Sequence, residues 1–288
     1  MANSNGWGDG ASNNSIGWGQ GAVNNSISWG DSHELSWAGL TDIVGFAYED
    51  EYQAILDKAT ALGYTLPSDA VKLKQNTLLA SLKASGVWAK LDVFYVFAVD
   101  NNASAFATLN WKNPNANQST LVSSPTFVNN GGFQGNGTSS YIDTNFNPAT
   151  QGVQYTQNNA SRYFFTHLIS TGRFDGNTSG NNSIFLGVSA SQRINAGANT
   201  AVPVIDFNST ANTKSIHRTS STSITAYNST TAQVAVQTSA VMSSANQLIL
   251  RSSATYGAHT CAAYAMGASM IAEHSAFIAD WNTYKNSL

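Results

Sequence analysis

Charge is scarce in this chain. Asp, Glu, Lys and Arg make up 10% of its 288 residues, where about 25% is usual. A helical bundle coats itself with Lys, Glu and Arg, so that class is disfavoured. A surface made of Asn, Ser, Thr and Gly instead suits an all-β domain with many turns and polar strand faces. Cysteine is almost absent: Cys261 stands alone, which excludes an intrachain disulfide and a thiolate metal cluster within one chain. No apolar run approaches the ~18 residues that a membrane-crossing helix needs. A basic stretch followed by an apolar one is missing at the N-terminus, so no secretion signal is expected. Phosphate-loop and dinucleotide fingerprints are missing too. Gly187-Val188-Ser189-Ala190-Ser191 lacks the second glycine of a nucleophile elbow. Apolar residues nevertheless reach 42%, enough to build a core.

The first 32 residues carry a repeat. Trp7, Trp18 and Trp29 recur at a spacing of 11, with Asn13-Asn14-Ser15-Ile16 and Asn24-Asn25-Ser26-Ile27 between them. Glycine flanks Trp7 and Trp18 on both sides. A strip so rich in Gly, Asn and Ser buries too little apolar area to order by itself. Solvating tails avoid aromatics, and tryptophan is the residue most enriched in binding hot spots. Residues 1–32 are therefore expected to order on a partner, with Trp7, Ile16, Trp18, Ile27 and Trp29 seated in its pockets. Residues 1–57 hold eight acids and no Lys or Arg, leaving 13 basic against 8 acidic residues beyond. An acidic strip suits a neutral or basic protein surface, and argues against nucleic acid or an anionic membrane as its partner.

Residues 33–47 read as an apolar collar. Two short helices follow. Glu49, Asp50 and Glu51 suit the start of the first, Tyr52, Ile55, Leu56, Ala59 and Leu62 keep helical spacing, and Gly63 stops it. Ser68 or Asp69 caps the second, which carries Val71, Leu73, Leu78, Leu79 and Leu82 and ends at Gly86. Residues 33–90 are expected to form a helical oligomerisation segment. From Val93–Val99 onward short strands alternate with turns: 106–111, 126–128, 140–144, 161–170, 183–189, 202–207, 213–217, 223–227, 232–238, 247–251 and 261–270. Asp175-Gly176-Asn177 is among the turn signals. Residues 273–284 return to helical spacing. Residues 91–288 are thus expected to form a β-sandwich domain.

The run from Phe127 through Phe133-Gln134-Gly135-Asn136-Gly137-Thr138-Ser139-Ser140-Tyr141-Ile142-Asp143-Thr144 resembles a strand pair of concanavalin A-like, laminin-G-type jelly rolls found in phage structural proteins. Tyr264-Ala265-Met266-Gly267-Ala268-Ser269 with a terminal helix is similar as well. The Gly-Trp-Gly-x-Gly-Ala-x-Asn-Asn repeat resembles the leader of virion proteins in crAss-like bacteriophages. The resemblance implies a short head or tail fibre, made in the host bacterial cytoplasm and carried on the virion. Its leader would dock to a capsid or tail protein, its copies would close into a homo-oligomer, expected to be a trimer, and its jelly roll would face host glycans.

Candidate chemistry is thin. Sandwich glycosidases need paired carboxylates. Glutamates are Glu34, Glu49, Glu51 and Glu273, and Asp100, Asp143, Asp175 and Asp206 are not spaced i, i+2 on one strand. No enzymatic activity and no cofactor is expected, although a glycan depolymerase on the same scaffold and a ligand-free decoration protein are the competing readings. The five histidines show no metal spacing. Asp175, Asn177 and Ser179 match the first half of a calcium loop, but the twelfth position is Leu186, which offers no carboxylate. Trp111 with Asn113, and Tyr155 with Asn158, are the candidate patches for stacking on a sugar and bonding its hydroxyls.

Overall fold

In the computed structural model, the described residues are 47–179, 183–185, 192–196 and 213–288. Helices α1 (Asp50–Ala61), α2 (Asp69–Ala84) and α3 (Val87–Lys90) lead into strand β1 (Leu91–Val96). Then come α4 (Ser104–Ala107), β2 (Thr120–Val122), β3 (Thr126–Val128), β4 (Gly132–Gln134), β5 (Tyr141–Asp143) and α5 (Pro148–Gln151). The chain continues through β6 (Ala160–Leu168), β7 (Arg173–Gly176), β8 (Ser183–Phe185), β9 (Thr213–Arg218), β10 (Ser223–Asn228) and β11 (Thr231–Val236). It ends with β12 (Leu248–Ile249), β13 (Arg251–Ser252), β14 (Thr255–Tyr256), β15 (Thr260–Gly267) and α6 (His274–Ser287). The protein is mainly β. Its strands pair antiparallel into an eight-stranded sheet, ordered β11-β10-β9-β6-β15-β4-β3 with β1 also on β15, and a five-stranded sheet, β2-β5-β12-β7-β8.

The central strands of the large sheet, β9, β6, β15 and β1, are covered on both faces. Tyr163 and Phe165 of β6 point to the helices, where Phe277 and Trp281 of α6 lie 4.8 Å from them ring to ring. Arg162 and Phe164, one residue out of phase, point to the small sheet, and Phe164 meets Phe174 of β7 at 5.1 Å. This explains why β1 and β15 read as nearly unbroken apolar runs rather than alternating ones. The helices start and stop where the residues dictate. Ser68 accepts the Val71 N–H as N-cap. Gly63 and Gly86 follow α1 and α2 with φ of 68° and 78°, a region costly for residues with a Cβ.

Tyr48–Leu288 forms one compact unit. The helices therefore share the sheet's core and are not a separate segment ending at residue 90. A chain of buried hydrogen bonds ties them down. Tyr52 of α1 donates to Gln75 of α2 at 2.6 Å, Gln75 donates to Tyr284 of α6 at 3.1 Å, and Tyr284 donates to the Ala98 carbonyl at 2.6 Å. Two other expectations are corrected. Residues 106–111, expected as a strand, begin inside the helical turn α4 and continue as turns, because Asn110 Oδ1 accepts the N–H groups of Phe94 and Lys112 and curls the backbone. Asp175-Gly176, expected in a turn, is the end of strand β7. Gly176 is needed there for close packing: a Cβ would sit 2.4 Å from Ser252 Oγ.

Among the described residues, a charge pair joins the sheets. Arg162 Nη1 of β6 lies 2.7 Å from Asp175 Oδ2 of β7, with both side chains wholly buried. Tyr264 of β15 donates to the same oxygen at 2.6 Å. Removing one member of such a pair strands the other in a medium that solvates it poorly. Asp175→Ala is expected to lower unfolding free energy by about 3–5 kcal/mol, measured by guanidinium denaturation. Replacing Arg162 and Asp175 together by Met and Leu is expected to recover most of that loss.

Candidate functional site

Both expected stacking aromatics lie inside the protein. Trp111 is 1% exposed, its ring 5.6 Å from Tyr52 and 5.7 Å from Phe94. It wedges helix α1 against strand β1 and presents no face to a sugar. Asn113 is exposed but is turned back on its own loop, accepting the Asn115 N–H at 3.1 Å. Tyr155 is equally buried and donates to Asn195 Oδ1 at 3.0 Å, while Asn158 remains exposed beside it. Neither patch brings an aromatic face and an amide together at the surface. Asp175, Asn177 and Ser179, the partial match to a calcium loop, do not gather around an ion either. Asp175 is held by Arg162 and Tyr264 in the interior, so a cation there would meet a guanidinium, and Asn177 Oδ1 accepts from the Ser179 hydroxyl. Among the described residues no cluster of His, Cys, Asp and Glu could hold a metal ion. The leader positions Trp7, Ile16, Trp18, Ile27 and Trp29 and the collar to residue 46 lie outside the described residues.

A pair that imitates a catalytic dyad is present in the core. Ser215 Oγ lies 3.2 Å from His217 Nε2, but both residues are completely buried. His217 Nδ1 accepts the Met270 N–H, which leaves the ring proton on Nε2, donated to the serine. That is the wrong tautomer for a base. The histidine belongs to a packed group with Tyr163, Tyr227 and His274, in which His274 Nδ1 lies 3.1 Å from the Tyr163 hydroxyl.

Among the described residues, a groove of about 570 Å³ lies at the end of the small sheet, lined by Ser104, Thr108, Gln118, Thr120, Leu121 and Asn145, with Ala105 and Ser119. The volume falls within the usual range for small-molecule sites, about 300–1,000 Å³. A second groove, between α2 and α6, holds only about 180 Å³. None of the residues lining the larger groove is ionisable. Its two amide side chains are held by their nitrogen ends. Gln118 Nε2 donates to the Tyr64 hydroxyl at 2.7 Å and to Thr108 Oγ1 at 2.9 Å. Asn145 Nδ2 donates to the Gln118 carbonyl at 2.7 Å and to Thr120 Oγ1 at 2.9 Å. These bonds leave Gln118 Oε1 and Asn145 Oδ1 to accept from a ligand. Asn145 has φ of 53°, tolerable for Asn, and Asp143 Oδ1 fixes it by accepting its N–H at 2.8 Å.

The groove's walls stand on the core. Tyr95 of β1, completely buried, places its hydroxyl 2.6 Å from the Asn117 carbonyl and 2.8 Å from the Thr144 carbonyl. Those carbonyls immediately precede Gln118 and Asn145. Sharing one proton between them, Tyr95 sets the spacing of the two amides. Burial holds this phenol well above its usual pKa, so it stays a donor across the physiological range. Residues 104, 118 and 145 come from three separate stretches, so sequence spacing gave no signal for this site. The only cue was an excess of Asn, Gln, Ser and Thr.

No protein-family model matches the chain, and no curated protein matches it. Among solved structures, it is similar to domain 4 of a GH43 extracellular arabinanase from Geobacillus stearothermophilus in complex with arabinotriose. That match has 12% identity and a TM-score of 0.37, over 66% of this chain and 98% of the other. It is also similar to an arabinofuranosidase complexed with arabinofuranosyl-alpha-1,2-xylobiose, at 12% identity and a TM-score of 0.33, over 62% of this chain and 50% of that one. At these scores the likenesses carry no argument about what this chain does.

The buried histidines make the fold sensitive to acid. Burial depresses His217 well below the usual histidine range, His274 below it, and His259 to about 4. A histidine whose pKa falls on folding contributes stability that is complete above about pH 6.5 and is lost as pH drops toward the folded value, because only the unfolded chain takes up the proton. For His259 the loss amounts to about 3 kcal/mol once both pKa values are passed. Melting temperature is therefore expected to hold between about pH 7 and 8 and to fall steeply between about pH 6.5 and 4. His259→Phe, which keeps the stacking on Phe174, is expected to make that fall shallower.

Proposed function

We propose that this chain is a non-enzymatic adhesion module of a bacteriophage particle, a short head or tail fibre built as a concanavalin A-like jelly roll. Its leader anchors it to a capsid or tail protein, and its groove takes a host surface glycan. The observation that carries this reading is the groove of neutral hydrogen-bonding groups around Gln118 and Asn145, with amide oxygens and hydroxyls and no ionisable lining. Such a surface matches the hydroxyls of a neutral sugar, each a donor and an acceptor. Its lining offers no carboxyl group to serve as acid or nucleophile in cleaving a glycosidic bond, which favours adhesion over depolymerisation. The antiparallel two-sheet architecture supports the jelly-roll reading, and the Trp repeat supports the anchor.

Binding of the full-length protein to a panel of bacterial surface polysaccharides tests the glycan reading. Gln118→Ala and Asn145→Gly each remove one side-chain amide, and Gly keeps the backbone angle at residue 145. Each is expected to weaken a binding glycan by about fivefold, near 1 kcal/mol, and to lower melting temperature by a few degrees, since each also gives up two side-chain hydrogen bonds. Asn158→Ala is expected to leave affinity alone. New reducing ends on incubation with the glycan would show cleavage and overturn the non-enzymatic reading. Deleting residues 1–32 is expected to leave glycan affinity intact and abolish incorporation into particles, scored by protein content of purified virions.

A further inference from the structure

Strand β11 breaks the pattern of the sheet it ends. Its inner neighbours β9 and β6 are buried on both faces, whereas β11 is exposed along nearly its whole length. Val234 is 68% exposed and Val236 78%. The ladder to β10 runs through six consecutive pairs, from Asn228↔Thr231 to Ser223↔Val236, with no bulge. Among the described residues nothing pairs with the outer side of β11. Exposed edges are ordinarily blunted by Lys, Pro, a bulge or a covering loop. Here no charged residue occurs between Arg218 and Arg251, and no proline follows Pro203.

The parity of the ladder says which backbone groups are free to pair. Gln237 N–H donates to the Thr222 carbonyl. Odd-numbered residues of β11 thus turn their N–H and C=O toward β10, and Ala232, Val234 and Val236 turn theirs outward. We propose that this edge is the seam between two copies of the chain, β11 pairing antiparallel with β11 of the second copy about a two-fold axis through Val234. In that register Val234 meets its own counterpart, and the large Val236 faces the small Ala232 of the other copy on both sides of the axis. Each copy brings an uncharged strand, so like meets like without repulsion, and the large sheets of the two copies become one. An antiparallel edge is self-complementary under a two-fold operation, as a closed dimer requires. This geometry favours a dimer over the trimer expected from the family resemblance. It rests on neither the glycan groove nor the leader.

The mass of the full-length protein in solution, by sedimentation or light scattering, tests the seam. The expected mass is that of two copies. Val234→Pro removes an outward N–H without touching the ladder to β10, and Val234→Lys sets two like charges face to face. Both are expected to give one-copy mass with unchanged melting temperature and unchanged glycan affinity per chain. Val241→Lys, 80% exposed but beyond the strand, is expected to remain dimeric. Under mild oxidation Val234→Cys is expected to form a covalent dimer. Buried Cys261 is expected to form none in the parent chain. A monomeric or trimeric parent protein, or a Val234→Pro variant that stays dimeric, overturns the proposal. A parent that is monomeric but dimerises once residues 1–32 are deleted also overturns it and assigns the edge to the leader.

Discussion

The ion pair between Arg162 and Asp175, closed by the Tyr264 hydroxyl, fixes the rest of the structure, because it sets how one sheet lies on the other. Apolar packing between two sheets is nearly indifferent to small slides. A charge pair with a third donor is not, since each bond works only at one distance and angle. Burying it is expensive, and the structure offsets part of that cost locally: Arg162 also donates to the Arg193 carbonyl, although its Nε has no partner among the described residues. Such a pair is weak evidence for extra stability.

From that register the groove follows. The small sheet carries β2 and β5, and the large sheet sends Tyr95 across to the carbonyls beside Gln118 and Asn145. On the opposite face, Trp111, Phe277 and Trp281 fill the space under the helices, and the Tyr52–Gln75–Tyr284 chain anchors them. The amides at the end of the small sheet are held by their own hydrogen bonds before any ligand arrives. Pre-placed groups of this kind lose little freedom on binding.

Much of the scaffold was legible in the residues. Both early helices, their caps at Ser68, Gly63 and Gly86, the terminal helix and the strands around Val93, Ser161, Thr213 and Cys261 follow from local periodicity and turn chemistry. The site was not legible. Trp111 and Tyr155 looked like sugar platforms because an aromatic among amides reads the same whether it faces water or a core. Only Tyr52, Phe94 and Asn195, distant in sequence, decide that they face inward. Asp175, Asn177 and Ser179 looked like alternate ligands of an ion. The first of them closes a strand and answers an arginine that lies thirteen residues earlier. The groove has no motif because three separate stretches meet there, two of them through Tyr95 and the third through the bonds of Gln118 and Ser119 to Thr108, and no local rule encodes that meeting.

The account's central claim is that a neutral, preorganised groove recognises a neutral glycan. The most direct test is the affinity of the full-length protein for its best-binding surface polysaccharide, measured from about 0.05 to about 0.5 M salt. With no ionisable group lining the groove, the dissociation constant is predicted to change by less than about twofold across that range. A fall in affinity of tenfold or more, or no glycan binding at any salt, would contradict it.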